Sequence, residues 1–246
     1  MRSAYLLVSH GSRDPRPEIA MQQLARLVRE QVQLTLGKSI ASVGTAYLEL
    51  TPEPLHQQII NFARNVFAVC SQSPGFQACL KIVPLFLLPG IHVMEDIPKE
   101  VAVAQQVLGE DVLIELKPYL GSHSRLEQLV AKQFAGTTAT AKIIVAHGSS
   151  RANAQQPVEA MAKKLGAVTA YWAAAPSLQS QVKALINSGC KQIAIAPYFL
   201  FAGGITDAIA QTKEKLQWHF PEVIFQLAEP LGATAQLAQL VWDLLE

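Results

Sequence analysis

Short apolar runs alternate along the chain with segments whose apolar residues recur every three or four positions. The run from Tyr5 to Val8 is typical of a buried strand, and the spacing of Ile19, Leu24, Val28 and Val32 is typical of a helix. In the first half this pattern predicts strands at 4–8, 39–50, 80–87 and 112–116, and helices from after Pro17 to Gly37 and at 51–66, 96–109 and 122–134. Such alternation indicates a parallel sheet covered by helices on both faces.

The same order of parts returns in the second half. His10-Gly11 reappears at His147-Gly148, 137 positions later, and three further landmarks reappear at offsets of 124, 113 and 111: Tyr47 and Tyr171, Pro84 and Pro197, Leu120 and Leu231. The shrinking offset indicates shorter connections between equivalent elements. We therefore predict an α/β fold of two pseudo-equivalent doubly wound domains with parallel four-stranded sheets, facing across a cleft. The predicted bounds are 1–121 and 142–246, with a connecting helix and linker at 122–141.

Only the first copy carries a set of polar residues at its strand ends. His10, Glu49 and His92 each follow a predicted strand, whereas the second copy keeps His147 and has Ala173 and Ile205 at the other two places. The ends of neighbouring parallel strands lie about 5 to 10 Å apart, so the three side chains can converge on one ion. Two imidazoles and a carboxylate suit a borderline divalent metal such as Fe²⁺, Co²⁺, Ni²⁺ or Zn²⁺.

Each of the three residues also has a purely structural interpretation. A histidine beside a glycine is often a turn residue, Glu49 could belong to the start of the next helix, and His92 could be an exposed loop residue. The second copy supports the same fold without two of them, which indicates that folding does not require them. The other histidines lie in or near helical patterns and are expected at the surface: His56, His123 and His219.

Composition excludes several classes of protein. Half of the residues are hydrophobic, the net charge is +1, and the 20 basic residues are scattered, which argues against a nucleic-acid partner. No apolar run approaches the roughly 18 residues of a membrane span, and the chain goes directly into a strand, so we expect a cytoplasmic protein with no membrane partner. Cys70, Cys79 and Cys190 form no C-x-x-C pair, which argues against a thiolate metal site.

Two motifs resemble a known family. LVSHGSR at 7–13, Glu49 and LLPGIHVMEDIP at 87–98 resemble the class II chelatases of tetrapyrrole synthesis, the CbiX/SirB group acting on sirohydrochlorin. The resemblance covers essentially the whole chain, including its two-domain form. The histidine-rich tail of some longer relatives is absent from this sequence, which weakens any case for metal storage.

This resemblance implies a chelatase that inserts a divalent metal ion into sirohydrochlorin without ATP, in siroheme or cobalamin biosynthesis. The expected metal is Co²⁺ or Fe²⁺, with Ni²⁺ as a further candidate. It implies that His10 and His92 bind the metal, that His10 also takes protons, and that no cofactor is needed beyond the metal substrate. It also implies that Glu49 and one loop contact the macrocycle, the loop being Leu87, Leu88, Pro89, Gly90 and Ile91. The expected partners are sirohydrochlorin and the metal ion, and a chain that carries both halves is expected to act as a monomer.

Arginines after the two His-Gly turns are candidates for holding the carboxylates of the macrocycle. Arg13, Arg16 and Arg151 have the charge and the fork geometry for this, although a solvated surface would explain them equally. Two other functions stay open from the residues alone. One is a non-catalytic tetrapyrrole or metal carrier, and the other is a histidine phosphatase, which needs an arginine where this chain has Ser9.

Overall fold

The protein is described by a computed structural model that covers residues 2–36, 42–68, 78–149, 151 and 153–246. Its contacts divide the chain into two compact units, Met1–His123 with Ala233–Glu246, and Ser124–Gly232. Each unit contains a four-stranded sheet whose strands are all parallel. The predicted class, two α/β halves with parallel four-stranded sheets, is confirmed.

The sheet of the first unit has the strand order β2-β1-β3-β4. Tyr47 pairs with Ser9 and Pro84 pairs with Val8, so β1, β2 and β3 end at nearly the same level. The elements of this unit are β1 (Arg2–Ser9), α1 (Pro15–Leu36), β2 (Ser42–Tyr47), α2 (Leu55–Phe67), β3 (Ala78–Pro84), a π-helical turn (His92–Asp96), α3 (Ile97–Leu108), β4 (Val112–Leu116), a 3-10 turn (Leu120–Ser122) and, at the chain end, α8 (Ala235–Leu245).

Both faces of this sheet are covered by helices. Leu6 packs into one apolar cluster with residues of α2 and α3, whereas the ring of Tyr5, the preceding residue, lies 5.6 Å from the ring of Trp242 on α8. Successive residues of a strand point to opposite faces, so a strand buried on both sides reads as a continuous apolar run. Leu6, Leu7 and Val8 are all fully buried.

The second unit repeats this arrangement with the strand order β6-β5-β7-β8. Its turn after the first strand is closed in the same way, because Ala173 N–H donates to the carbonyl of His147 at 2.8 Å just as Glu49 N–H donates to that of His10 at 2.8 Å. Its elements are α4 (Leu126–Gln133), β5 (Ala141–Ala146), α5 (Gln156–Lys164), β6 (Val168–Tyr171), α6 (Leu178–Asn187), β7 (Gln192–Pro197), α7 (Gly204–His219) and β8 (Ile224–Leu227).

The last helix of each sequence half does not stay with that half's own sheet. Helix α8 packs on α1 and β3, and Lys81 Nζ donates to the carbonyl of Leu245 at 2.8 Å. Helix α4 belongs to the second unit, where Gln133 Nε2 donates to the carbonyls of Pro197 at 3.0 Å and Glu229 at 2.7 Å. These contacts set the ends of the units at His123 and Gly232, where the sequence suggested 121 and 246.

Several element ends differ from the sequence-based expectation. Helix α1 begins at Pro15, because proline is tolerated in the first helical turn, where its missing N–H costs nothing. Helix α2 begins at Leu55 rather than 51, after an extended Pro54, and α4 begins at Leu126 rather than 122. Strand β3 ends at Pro84 rather than 87. The predicted helix end at Gly37 and the predicted strand start at 39–41 lie outside the described residues.

None of the described helices is both long enough and apolar enough to span a membrane.

Candidate metal centre

His10 and Glu49 are placed side by side by the ends of β1 and β2. Two backbone hydrogen bonds extend the pairing of these strands, from Leu48 N–H to the carbonyl of Ser9 at 2.9 Å and from Glu49 N–H to that of His10 at 2.8 Å. Gly11 then turns the chain with a φ of +97°, in the region that favours glycine. A Cβ at this position would lie 2.1 Å from the carbonyl oxygen of Glu49, so only glycine lets the two segments approach this closely.

His92 reaches the same place from a helical turn, not from a loop as its sequence context suggested. Residues His92–Asp96 form a π-helical turn in which the N–H of Ile97 donates to the carbonyl of His92, five residues earlier. Such wide turns are rare in proteins, and those that occur are often found at functional sites. The turn leads directly into α3, so His92 is held by a continuous helical backbone.

The structure brings the three predicted side chains together. His10, Glu49 and His92 each offer one ligand atom, and these atoms lie within 4.8 Å of one another. His10 Nε2 is 3.7 Å from a carboxylate oxygen of Glu49, and the rings of His10 and His92 have centroids 5.0 Å apart. Metal–nitrogen bonds are about 2.0–2.1 Å long, so two ligand atoms of one ion lie about 3 to 4 Å apart, and a small closure would accommodate a metal ion.

The cluster is open to solvent rather than closed by protein. The side chains of His10, Glu49 and His92 are 46 %, 49 % and 30 % exposed. A structural metal site has a full, closed set of protein ligands, whereas a site that reacts keeps open positions. This cluster therefore lacks the closed ligand set of a structural metal site.

Both imidazoles use Nδ1 for a contact with protein. His10 Nδ1 lies 3.3 Å from the carbonyl oxygen of Gly11, and His92 Nδ1 lies 2.8 Å from a carboxylate oxygen of Asp96. Glu49 is 3.9 Å from His92 Nδ1, which is too long for a hydrogen bond, so Asp96 is the partner of that nitrogen. A neutral imidazole that donates from Nδ1 to such an acceptor has no proton on Nε2.

Phe86 packs beside both histidines. Its ring centroid is 6.4 Å from that of His10 and 6.3 Å from that of His92. The sequence offers no signal for this role, since Phe86 reads only as one apolar residue at the end of a strand. Its ring therefore lies within the range of aromatic contact with both imidazoles.

The predicted macrocycle loop, residues Leu87–Ile91, follows Phe86 and ends at the helical turn. Its residues are half-buried apart from Ile91, which is exposed. Gly121 N–H donates to the carbonyl of Phe86 at 2.8 Å, and a Cβ on Gly121 would lie 2.1 Å from the carbonyl oxygen of Leu87. The loop is thus fixed at its start by a close approach of backbone to backbone.

The arginines near the cluster differ in their surroundings. Arg16 is held by Asp14 through its Nε at 3.1 Å, and the guanidinium holds the pKa of the Asp14 carboxyl below its usual range. Arg13 is exposed and has no ion pair with another described residue. Of the two, Arg13 is the better candidate for an external anion.

The other histidines lie apart from this cluster. His219 is exposed as expected, but His56 and His123 are partly buried and paired, His56 Nδ1 with Glu100 at 2.8 Å and His123 Nε2 with Asp243 at 3.4 Å. The surface interpretation of these two was wrong, because their carboxylate partners come from helices distant in sequence.

The cysteines of the described residues do not contribute a metal ligand set. Burial raises the pKa of Cys79 to about 11, and its thiol lies against Glu115 at 3.5 Å, so it remains protonated. Cys190 is half-buried, and Cys70 lies outside the described residues.

Sequence reasoning missed Asp96, which was interpreted only as the start of a helix. The signal was present, because four residues separate His92 from Asp96 and side chains at this spacing meet on one helix face. It was hidden because the helical turn was expected to begin only at Asp96.

The family of the chain is shown by a match that covers nearly its whole length. The family model described as CbiX matches residues 4–137 and 141–246, so both units are covered. The chain belongs to the CbiX family. This agrees with the resemblance carried by the motifs at 7–13 and 87–98.

Relatives of this CbiX-family chain are distant in sequence and near in fold. A sirohydrochlorin ferrochelatase of Priestia megaterium is 27 % identical over 97 % of this chain and 87 % of the relative. SirB from Bacillus subtilis, solved with Fe³⁺, has 22 % identity and a TM-score of 0.74 over 99 % of this chain and 94 % of its own. The sirohydrochlorin chelatase SirB from Bacillus subtilis subspecies spizizenii, in complex with cobalt, has 20 % identity and a TM-score of 0.71 over 100 % and 94 %.

Proposed function

We propose that this CbiX-family protein is a chelatase that inserts a divalent metal ion into sirohydrochlorin without ATP. The observation that carries the proposal is the cluster of His10, Glu49 and His92, an exposed and incomplete set of nitrogen and oxygen ligands. The Priestia megaterium relative bears the name sirohydrochlorin ferrochelatase, which supports the same tetrapyrrole substrate.

The metal is a substrate of this reaction, and His10 and His92 are proposed to hold it through Nε2. Two imidazoles bind a borderline divalent ion strongly enough to remove some of its waters and leave other positions for the macrocycle. SirB structures contain Fe³⁺ in one case and cobalt in another. We propose Co²⁺ or Fe²⁺ as the ion, with Ni²⁺ as a further candidate, since borderline ligands accept all three.

Insertion also requires a base, because the free macrocycle loses two N–H protons as the metal enters. Neutral imidazole and carboxylate both accept protons near neutral pH. Glu49 is proposed as the group on the macrocycle side, because its carboxylate is exposed and 3.7 Å from His10 Nε2. A proton taken by Glu49 can therefore pass to His10 once the metal has left that nitrogen.

The surroundings of the cluster suit a flat conjugated ring with charged edges. Leu50, Ile91 and Met94 are 52 %, 53 % and 49 % exposed, and each is within two residues of Glu49 or His92. We propose that they contact the face of the macrocycle together with the loop at 87–91. Arg13 is proposed to bind a carboxylate at its edge, because it is exposed and follows the His10 turn.

A spectroscopic assay with less protein than substrate tests this function. The free-base absorption of sirohydrochlorin is followed after addition of Co²⁺, Fe²⁺ or Ni²⁺, at one protein per hundred tetrapyrrole molecules. A chelatase converts the whole pool faster than the buffer control does. A carrier changes only the one part in a hundred that it binds, and that outcome would replace the proposed enzyme with a binding protein.

A further inference from the structure

Asp96 contacts the cluster through His92 Nδ1, the nitrogen that also lies 3.9 Å from Glu49, and has no part in the function described so far. Its carboxylate oxygen Oδ2 accepts from His92 Nδ1 at 2.8 Å, across the π-helical turn. Asp96 is absent from the group of side chains whose ligand atoms lie within 4.8 Å of one another. It therefore touches a metal-binding residue without being placed to bind the same ion.

We infer that Asp96 is a positioning residue that fixes His92 as the Nδ1–H tautomer and presents its Nε2 to the metal. An imidazole that binds metal through one nitrogen commonly donates its other N–H to a carboxylate or a carbonyl, which sets both the tautomer and the ring orientation. This inference rests on the proposed metal site, and it does not depend on turnover.

The second histidine of the cluster has a matching arrangement. His10 Nδ1 lies 3.3 Å from the carbonyl oxygen of Gly11, which also leaves Nε2 for the metal. That acceptor is part of the backbone and comes with the turn itself. In unit 2 the same contact recurs at His147, where Nδ1 lies 3.1 Å from the carbonyl of Gly148.

His92 lacks such a backbone partner, and its helical position explains why. Carbonyls within a helical turn accept from N–H groups further along it, as that of His92 accepts from Ile97. A side chain must then supply the acceptor, and one four residues later lies on the same helix face. The separation of Asp96 from His92 meets this requirement.

The chain also supplies a matched control. Glu100 lies one further turn along the same helix and accepts from His56 Nδ1 at 2.8 Å. This pair has the same two chemical groups and the same distance, and neither residue belongs to the cluster. Removing its carboxylate tests the effect of losing a His–carboxylate bond as such.

Calorimetric titration with Co²⁺ alone is the first test, on the full chain without tetrapyrrole. Asp96→Ala is expected to weaken binding about 10- to 100-fold, the usual cost of losing such a partner, and Asp96→Asn less, because its amide oxygen still accepts a weaker bond. Glu100→Gln is expected to lower the melting temperature, because a neutral amide oxygen accepts weaker bonds from Nδ1 and N–H of His56, and to leave Co²⁺ affinity unchanged. Unchanged affinity in both Asp96 variants overturns the inference.

The tautomer is measured directly on the wild-type protein, so the readout does not depend on the Asp96 variants folding. Long-range ¹H–¹⁵N spectra of ¹⁵N-histidine protein, assigned with His92→Gln, should show His92 protonated at Nδ1, and Zn²⁺ as a diamagnetic probe should shift Nε2. A metal-induced shift at Nδ1 would overturn the inference, because Asp96 would then compete with the metal. If metal binding behaves as expected and no insertion occurs, the proposed function fails and the role of Asp96 stands.

Discussion

Gly11 lies against the backbone of Glu49 so closely that an added Cβ would be 2.1 Å from the carbonyl oxygen of Glu49. This contact couples the conformation of the His10 turn to the position of the carboxylate. Any side chain at position 11 must separate the two strand ends that carry the cluster.

The first prediction concerns Gly11→Ala. The change should weaken Co²⁺ binding and slow insertion, because the turn has a φ of +97°, where a non-glycine residue costs about 1–2 kcal/mol, and because the clash displaces Glu49. Calorimetric titration and thermal melting measure the two effects separately.

Gly148→Ala is the matched control for this prediction. Its φ is +85°, but the nearest atoms to an added Cβ are Cβ atoms at 3.1 and 3.2 Å, on Ala174 and Tyr171. It should destabilise the protein and leave metal binding intact. If both variants lose metal affinity equally, the effect of Gly11 reflects folding rather than the site.

The second prediction concerns Leu50, whose φ of +61° is unusual for a leucine. A side chain held in this region stores about 1–2 kcal/mol, and Leu50 is also exposed beside Glu49. Leu50→Gly should therefore keep or raise the melting temperature and raise the KM for sirohydrochlorin, because it removes both the strain and an apolar contact.

Asn153→Gly provides the comparison, since Asn153 has a φ of +63° in the second unit. Asparagine tolerates this conformation better than leucine does, so little change in stability and none in KM is expected. An unchanged KM for Leu50→Gly would remove Leu50 from the proposed macrocycle contact.

The third prediction separates two roles of Glu49. Glu49→Gln keeps the shape of the side chain and removes its charge. If Glu49 acts on the macrocycle, insertion should slow about a hundredfold, the scale of one acid–base group, while Co²⁺ affinity changes little. A loss of affinity as large as the loss of rate would instead make Glu49 a third metal ligand.

The cluster was predictable because it depends on sheet topology. His10 and Glu49 follow neighbouring parallel strands, and the carboxyl ends of such strands meet at one edge. The second copy, with Ala173 and Ile205, marked these positions as dispensable for folding.

The surroundings of the cluster were not predictable, because they depend on a helical turn and on helix packing that the pattern of apolar residues does not reveal. The π-helical turn that places Asp96 against His92 has the same sequence appearance as a loop followed by a helix start. The packing of α8 on α1 was also hidden, since its apolar face fits either sheet and only tertiary contacts decide.

We propose that the metal chemistry lies in the first unit, and insertion rates of two histidine variants test this most directly. His10→Ala removes a proposed ligand. His147→Ala removes the equivalent side chain of the second unit, which has no residues equivalent to Glu49 and His92. With sirohydrochlorin and Co²⁺, His10→Ala should fall to the rate of the buffer control, and His147→Ala should remain close to wild type. Equal losses in the two variants, with both proteins folded, would contradict the account.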